Sequence, residues 1–256
     1  MWWRCILAIA TNGRPNDTAV ADGADAALLV RGLTSGYGQS LVVHEVSLAV
    51  RPREVVCLMG RNGVGKTTLL RTIVGLIRAR SGRMELHGRD LTSAPTHVRA
   101  RAGLGYVPQG RGIFPHLSVR ENLLMGFETK RAGAGVLDDI HELFPILSDF
   151  SARAAGGLSG GQQQQLAIAR ALVGGPTVLL LDEPTEGIQP SVIWEIERAI
   201  NTLRERGGLS ILLVEQFVEF AVGLSDRYYL MEKGTLVAEG LSTDLTEESV
   251  REYLAV

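Results

Sequence analysis

Residues 55–68 read VVCLMGRNGVGKTT, a short apolar run followed at once by a glycine-rich loop. The apolar residues 55–59 are typical of a strand that helices cover on both faces of a parallel sheet. The loop matches the pattern G-x-x-x-x-G-K-[ST], and residues 66–76 after it are predicted to form a helix. A helix that starts behind such a loop directs backbone N–H groups and its partial positive charge at an anion. The stretch therefore predicts a phosphate-binding loop between a buried strand and a helix.

The side chains of this loop indicate what part of a nucleoside triphosphate it would hold. Lys66 is expected to reach the β- and γ-phosphates, and the Thr67 hydroxyl is expected to be a ligand of Mg²⁺. The alternative is a glycine-rich turn with a chance lysine, which the strand before it and the helix after it argue against. The predicted phosphate-binding residues are Gly60, Asn62, Gly63, Gly65, Lys66, Thr67 and Thr68.

Composition excludes several classes of protein. The 256 residues include 26 Lys+Arg and 28 Asp+Glu, so the strongly basic surface typical of nucleic-acid-binding proteins is missing and no nucleic-acid partner is expected. Hydrophobic residues make up 45% and charged residues 21%, which excludes a disordered chain. The two cysteines form no zinc-binding pattern. Because no apolar run approaches the ~20 residues needed to span a bilayer, we expect a soluble chain that can still dock on a membrane protein.

The remaining pattern predicts an α/β fold around a mostly parallel sheet. Residues 178–181 and 211–214 are as apolar as residues 55–59, and helices are predicted between these strands. Residues 228–231 and 235–238 flank Glu232-Lys233-Gly234 and predict a hairpin. The later predicted helices are 162–173, 191–203 and 247–254.

Three further regions complete the predicted organisation. Residues 28–30 and 42–50 predict an antiparallel edge layer, because Val42, Val46, Leu48 and Val50 alternate along the second segment. Residues 1–27 lack sustained periodicity and are expected to form a loose extension ahead of a domain over 28–256. Within that domain, apolar residues at helical spacing predict a helical insertion over about 110–160.

Two acids, Asp182 and Glu183, close the buried strand over 178–181. Burying two adjacent carboxylates is costly unless a cation or a proton donor meets them. With a phosphate-binding loop in the same chain, the first acid is expected to hold the metal and Glu183 to polarise the attacking water. Asp182 taken alone could instead cap the following turn.

Residues 158–162 read LSGGQ and begin a helix, and here the sequence resembles the ATP-binding subunits of ABC transporters, whose signature motif is this segment. The resemblance implies the fold of the P-loop nucleoside triphosphatases. It also implies that two such chains sandwich two ATP molecules head to tail. Ser159, Gly160, Gly161 and Gln162 would then serve the ATP held by the partner, since a serine and two glycines at a helix start expose N–H groups to a phosphate.

Other family features follow in order along residues 28–253. Tyr37 in Gly36-Tyr37-Gly38 matches the residue that stacks on adenine, and Gln109 after Pro108 matches the glutamine that approaches the metal and the water. Without the resemblance, Tyr37 would be an aromatic residue in a turn and Gln109 a surface residue. The resemblance implies ATP and Mg²⁺ as cofactors, with Thr67, Gln109 and Asp182 at the metal. It also implies membrane permease subunits as partners, an indirect link to a solute-binding protein, and a peripheral position on the cytoplasmic face of the membrane.

Two positions that depart from the usual family pattern narrow the resemblance to one branch of the family. Gln216 stands where the family usually has a histidine that contacts the γ-phosphate, and Glu186 begins a loop that usually ends in aspartate. Both are shared with the importer branch for branched-chain amino acids and related small polar solutes. Within that branch, the segments 57–65, 108–115, 162–165 and 182–190 look most like the E-type ATPase of urea importers. Gln216 is expected to assist catalysis, and the alternative is that it merely ends a strand.

The expected function is ATP hydrolysis that energises an importer, with urea as the first substrate and branched-chain amino acids or short amides next. An ABC ATPase of translation or DNA repair is a second possibility. Such proteins generally carry two cassettes or long coiled coils, and this sequence has one cassette and no heptad array. A regulatory subunit that binds nucleotide without turnover is a third, and Glu183 argues against it. The sequence leaves open whether the partner ATPase is a second copy or a paralogue, although the family favours a paralogue.

Overall fold

The computed structural model describes residues 25–129, 135–216 and 218–245. Most of the expected extension over 1–27 and the helix predicted over 247–254 lie outside these residues. The described strands are β1 (Leu28–Tyr37), β2 (Ser40–Val50), β3 (Val55–Met59), β4 (Ser81–Leu86), β5 (Arg89–Asp90), β6 (Leu104–Val107), β7 (Val178–Asp182), β8 (Ser210–Glu215), β9 (Arg227–Glu232) and β10 (Thr235–Leu241).

The described helices are α1 (Lys66–Ile73), α2 (Thr96–Ala102), α3 (Val119–Leu124), α4 (Val136–Leu143), α5 (Pro145–Asp149), α6 (Gly160–Val173), α7 (Pro190–Arg206) and α8 (Val218–Leu224). Sequence patterns indicated α1, α6 and α7 but not α2. Short 3₁₀ turns follow α3, precede α6 and follow β10. In the part of the chain that the structure describes, no helix is both long enough and apolar enough to cross a membrane.

The larger sheet has the strand order β10-β9-β3-β8-β7-β6. All its pairs are parallel except β10 with β9, which form the predicted hairpin. Every residue of β3, β7 and β8 is buried, as the uniformly apolar runs predicted. Because parallel strands share one carboxyl edge, this arrangement gathers the phosphate-binding loop, the acid pair, Gln109 and Gln216 at one edge of the sheet. The predicted α/β fold with a mostly parallel sheet is confirmed.

The predicted antiparallel layer is a separate sheet with the order β2-β1-β4-β5. Its inner face and one face of the larger sheet enclose α1 in a single apolar core. The backbone N–H of Ala49 on β2 donates to the hydroxyl of the buried Tyr229 on β9 at 3.2 Å, which ties the two sheets together. Sequence patterns did not predict β4, β5 or β6.

The alternation predicted along residues 42–50 is interrupted by a β-bulge. Glu45 has a left-handed backbone with φ of 48°, and the pairing with β1 shifts register around it. As a result Val43 is buried, while Val42 is only partly covered. A bulge exchanges the two faces of a strand, which is why a strict period of two fails here.

A second core lies on the opposite face of the larger sheet and reaches into the region where the helical insertion was expected. Buried residues of α3, α4, α5 and α6 pack there against β7, β8 and α7. Helix α3 starts at a capping box, in which Ser118 and Glu121 satisfy each other's backbone N–H groups. The described helices of the expected insertion therefore pack on α6, and α6 in turn contacts the sheet at β6.

The carboxyl end of α1 is capped by a buried guanidinium. Arg99 on α2 is 4% exposed, and its Nη1 donates to the carbonyls of Thr72 at 2.7 Å and Ile73 at 2.6 Å. Its Nε and Nη2 donate to the carbonyls of Ala94 and Thr92, both at 2.8 Å. Burial lowers the pKa of Arg99. The positive charge faces the negative end of the helix dipole and satisfies carbonyls that the helix leaves unpaired.

Replacing Arg99 by lysine is expected to destabilise the fold although the charge is kept. An ammonium group cannot reproduce the planar fork that reaches four carbonyls, so buried acceptors lose their donors at a cost of about 2–3 kcal/mol. We expect the melting temperature of Arg99→Lys to fall by roughly 5–10 °C. The matched control is Arg31→Lys on the exposed side of β1. Equal melting temperatures for the two variants would contradict the capping role.

Candidate active site

The glycines of the phosphate-binding loop are required by its close packing. Gly60 follows β3 with φ of 152°, and a Cβ atom on it would lie 2.4 Å from the carbonyl oxygen of Met231. Gly65 precedes α1 with φ of 113°, and a Cβ there would lie 3.2 Å from the carbonyl oxygen of Val42. Both distances are shorter than ordinary contacts, so side chains at these positions would force the loop away from β9 and β2.

Lys66 lies inside the curve of this loop and is 4% exposed. Its Nζ donates to the carbonyls of Gly60 at 2.7 Å and Arg61 at 3.0 Å, and it lies 3.4 Å from Oε1 of Glu183. Burial lowers the pKa of Lys66, and the Glu183 carboxylate opposes that shift. The ammonium group thus lies between the backbone of its own loop and the second acid of the pair.

The first acid lies beside the loop threonine. The Thr67 hydroxyl donates to Oδ1 of Asp182 at 3.2 Å, and the Tyr106 hydroxyl donates to Oδ2 at 3.3 Å. Burial raises the pKa of Asp182, while these two hydrogen bonds oppose the rise. A hydroxyl and a carboxylate are hard oxygen donors of the kind that Mg²⁺ prefers. The residues present therefore fit the magnesium site that the resemblance implies.

Glu183 is surrounded by donors from three separate segments. Its Oε1 accepts from Nε2 of Gln216 at 2.7 Å as well as facing Lys66, and its Oε2 accepts from Nε2 of Gln109 at 3.1 Å. The backbone of Glu183 is left-handed, with φ of 49°. Gln109 also donates to Oε2 of Glu186 at 3.0 Å. The structure thus brings together the three residues that the sequence assigned to catalysis.

Gln216 joins the second acid to the phosphate-binding loop. Besides its bond to Glu183, its Nε2 donates to Oδ1 of Asn62 at 2.6 Å. A residue that merely ends a strand would not need two side-chain partners in two other segments. The amide therefore lies between the phosphate-binding loop and Glu183.

Tyr37 lies at the outer end of the site with 49% of its surface exposed. Its hydroxyl accepts from Nη1 of Arg71 at 3.4 Å. Hydrogen bonding to Thr68 lowers the pKa of Tyr37, and Arg71 adds to that effect. An exposed ring beside α1 can be covered by a planar group.

The signature segment forms the start of α6. Ser159 caps α6 by accepting from the N–H of Gln162 at 3.3 Å, and its own N–H donates to Oε1 of Gln162 at 2.9 Å. Gly161 is buried against α7, where a Cβ would lie 2.7 Å from Cγ1 of Val192, and Gly160 lies against the guanidinium of Arg111. The capping box accounts for Ser159 and Gln162 within the chain, and helix packing accounts for Gly161.

A cavity of about 150 Å³ lies over the phosphate-binding loop. A larger cavity of about 640 Å³ lies beyond the carboxyl end of α1, next to Arg78, Arg80 and Arg99. The smaller one contains the predicted chemistry, because both Lys66 and Glu183 line it. Its lining residues are Val42, Asn62, Gly63, Gly65, Lys66, Thr67, Thr68, Gln109 and Glu183, and the signature residues are not among them.

Sequence reasoning missed three residues that support this site. Tyr106 and Arg71 contact Asp182 and Tyr37, respectively, and Glu215 lies buried directly before Gln216. Tyr106 stands three residues before Gln109, but its side chain carried no signal of its own. A glutamate that ends an apolar strand, as Glu215 does, was the signal that could have been used.

Known proteins resemble this chain over most of its length. The model of the ABC transporter family matches residues 43–186, more than half of the chain. The high-affinity branched-chain amino acid transport ATP-binding protein BraG of Pseudomonas aeruginosa is 42% identical over 219 residues, which cover 84% of this chain and 94% of the relative. The lipopolysaccharide export system ATP-binding protein LptB of Haemophilus influenzae is 36% identical over 234 residues, which cover 89% and 96%.

Solved structures agree with these relatives. A nucleotide-free ATP-binding cassette from an ABC transporter has a TM-score of 0.74 at 26% identity, and the match covers 90% of this chain and 96% of that one. A dimeric bacterial ABC transporter cassette has a TM-score of 0.76 at 25% identity, and the match covers 84% and 98%. The chain therefore belongs to the ABC transporter family and is one of its ATP-hydrolysing cassettes.

Proposed function

We propose that this cassette powers the import of a small polar solute through membrane permease subunits. The contact of Glu183 with Lys66, Gln109 and Gln216 over the phosphate-binding loop carries the catalytic part of this proposal. Branched-chain amino acids are the first candidate substrates, because BraG at 42% identity is named for their transport. This places urea second, although the sequence motifs had placed it first. The lipopolysaccharide exporter relatives are less similar, at 36% identity for LptB of Haemophilus influenzae.

Lys66 exchanges partners when ATP binds. In the structure its ammonium group donates hydrogen bonds to two loop carbonyls and forms an ion pair with Glu183. The β- and γ-phosphates, cradled by the loop backbone, offer stronger negative charge, so Lys66 turns to them and leaves Glu183. The freed carboxylate then accepts a proton from the attacking water. The loop thus couples phosphate binding to the release of the general base.

The remaining side chains orient the reactants. Gln216, placed between Asn62 and Glu183, donates to a γ-phosphate oxygen as a neutral amide. Gln109 holds the water beside Glu183, and the ring of Tyr37 stacks on adenine. Thr67 and Asp182 would hold Mg²⁺ with Gln109 nearby, and the ion when bound neutralises charge on the phosphate oxygens.

A second ATPase chain completes the site. Ser159 is exposed and Gly160 half-buried at the start of α6, and neither lines the loop cavity of its own chain, so both are accessible to ATP on a partner, while Gly161 lets the helix start pack against α7 behind them. The resemblance to a dimeric cassette supports this arrangement. Closure of the dimer on ATP would be transmitted to the permease subunits through the helices after Gln109, on the cytoplasmic face of the membrane. A solute-binding protein would act only through the permease.

Substitutions of Lys66 and Glu183 should have different effects, the first on ATP binding and the second on ATP hydrolysis. Lys66→Ala should weaken ATP affinity, because the cation that meets the phosphates is lost. Glu183→Gln should keep that affinity and lose turnover by roughly 10²–10⁴-fold, as expected of a positioned base. Nucleotide titration and steady-state ATPase kinetics measure the two effects. Gln216→Ala should fall between wild type and Glu183→Gln in kcat, and equal ATP affinity of wild type and Lys66→Ala would refute the assignment.

The composite site predicts a defect that appears only in the dimer. Ser159→Arg should leave ATP binding by the isolated monomer intact, because the residue lies outside the loop cavity. It should prevent the ATP-dependent dimer, since a long cation would occupy the space of the partner's nucleotide. Size-exclusion chromatography in ATP on a Glu183→Gln background, which slows hydrolysis, measures the dimer fraction. An unchanged fraction would argue against the head-to-tail dimer.

The substrate can be identified only in the assembled transporter, because this chain does not contact the solute. Isolated protein should hydrolyse ATP slowly and should not respond to leucine or urea. The complex reconstituted with permease and solute-binding protein should be stimulated by leucine. Stimulation by urea alone would move the assignment to a urea importer, and direct stimulation of the isolated chain would contradict import through a permease.

A further inference from the structure

Glu215 is a buried carboxylate with no assigned role. It is the last residue of β8, is paired with Met59 of β3, and has 2% of its surface exposed. Its Oε1 accepts from the N–H of Thr185 at 3.0 Å and from the Thr185 hydroxyl at 2.8 Å. Its Oε2 accepts from the N–H of Gln216 at 3.1 Å. Hydrogen bonds to a charged acceptor are stronger than neutral ones, so these contacts fix both neighbours firmly.

We propose that Glu215 is a positioning residue for ATP hydrolysis, which holds the turn Glu183–Thr185 so that the Glu183 carboxylate points into the site. This inference rests on the proposed role of Glu183 as the general base. Glu215 itself lies behind the site, and it acts through the backbone that carries Glu183 and Gln216.

The turn needs such an anchor because its backbone is strained. Glu183 has φ of 49°, a left-handed conformation that costs a non-glycine residue about 1 kcal/mol or more. Pro184 follows, and a proline disfavours helical conformations in the residue before it. A strained turn persists only where its surroundings hold it on both sides.

Two consecutive residues of β8, Val214 and Glu215, accept the hydrogen bonds that anchor the two ends of this turn. The N–H of Glu183 donates to the carbonyl of Val214 at 3.0 Å, which fixes the entry to the turn. The two bonds from Thr185 to Glu215 fix the exit. Without the second hold, the peptide after Glu183 can relax and move the carboxylate away from Gln109 and Lys66.

The same carboxylate also orients the other side of the site. Its Oε2 fixes the N–H of Gln216, whose side chain donates to Glu183 and Asn62. Glu215 therefore holds the backbone next to both Glu183 and Gln216. A glutamine in place of Glu215 has only one acceptor oxygen, and its amide N–H₂ would face an N–H donor. The position therefore calls for a carboxylate.

Kinetics of Glu215→Gln in the full chain test this proposal. Misplacing the base should lower kcat by about 10²-fold, while KM and the affinity for ATP stay within about twofold of wild type. The matched control is Glu205→Gln on the exposed side of α7, which should behave as wild type. A merely structural role would instead lower the melting temperature and change kcat and KM together. That result, or a kcat within about twofold of wild type, would overturn the proposal.

Combining Glu215→Gln with Glu183→Gln distinguishes a failure of this inference from a failure of the proposed function. If Glu215 acts through Glu183, then Glu215→Gln should add less than about twofold to the loss already caused by Glu183→Gln. A full additional loss would overturn the positioning role alone. Wild-type turnover by Glu183→Gln would overturn the role of the base itself, and the inference would fall with it.

Thr185→Val provides the same test from the other side of the contact. It keeps the side-chain shape and the backbone N–H but removes the hydroxyl bond to Glu215. We expect a smaller loss of kcat, about 10-fold, with KM again unchanged. This variant keeps the proposal testable if Glu215→Gln does not fold, and an unchanged kcat would contradict it.

Discussion

A lysine ammonium group kept almost free of water constrains the rest of the site. Burying Lys66 costs free energy unless acceptors surround its charge, and the chain supplies two loop carbonyls and one carboxylate. For the Gly60 carbonyl to face inward, the loop must curl tightly against β9, where a side chain on Gly60 would collide with Met231. The need to surround the Lys66 ammonium group with acceptors therefore explains the tight curl of the loop, the glycines within it and the position of Glu183 beside Lys66.

The parallel sheet makes this arrangement possible. Four parallel strands, β3, β6, β7 and β8, have their carboxyl ends at the same edge of the sheet. Side chains from segments far apart in sequence therefore lie close together there. Strand β8 serves twice, because its final residues support the turn after Asp182 from behind and then lead into Gln216. The acid pair and the loop are therefore held on the backbone of buried strands.

The sequence allowed the parallel sheet, the loop and the acid pair to be predicted, because uniformly apolar strands and glycine-rich turns leave patterns in neighbouring residues. Strands β4 and β5 gave no such pattern, since Arg83, Arg89 and Asp90 on them are exposed, and Arg83 forms an ion pair with Asp90 across the surface. The bulge at Glu45 was invisible because its position depends on pairing with β1. Contacts such as Tyr106 with Asp182 join residues 76 positions apart, and only the fold brings them together.

The capping of α1 by Arg99 has a mechanical consequence. Four charge-assisted hydrogen bonds, each worth about 1.5–3 kcal/mol, tie the far end of the phosphate-loop helix to the segment that leads into α2. The end of α1 and that segment are therefore joined through one side chain. If α1 shifts at its phosphate end, this link would pass the shift to the exposed surface around Leu76 and Arg78, which lies between the helix and that segment.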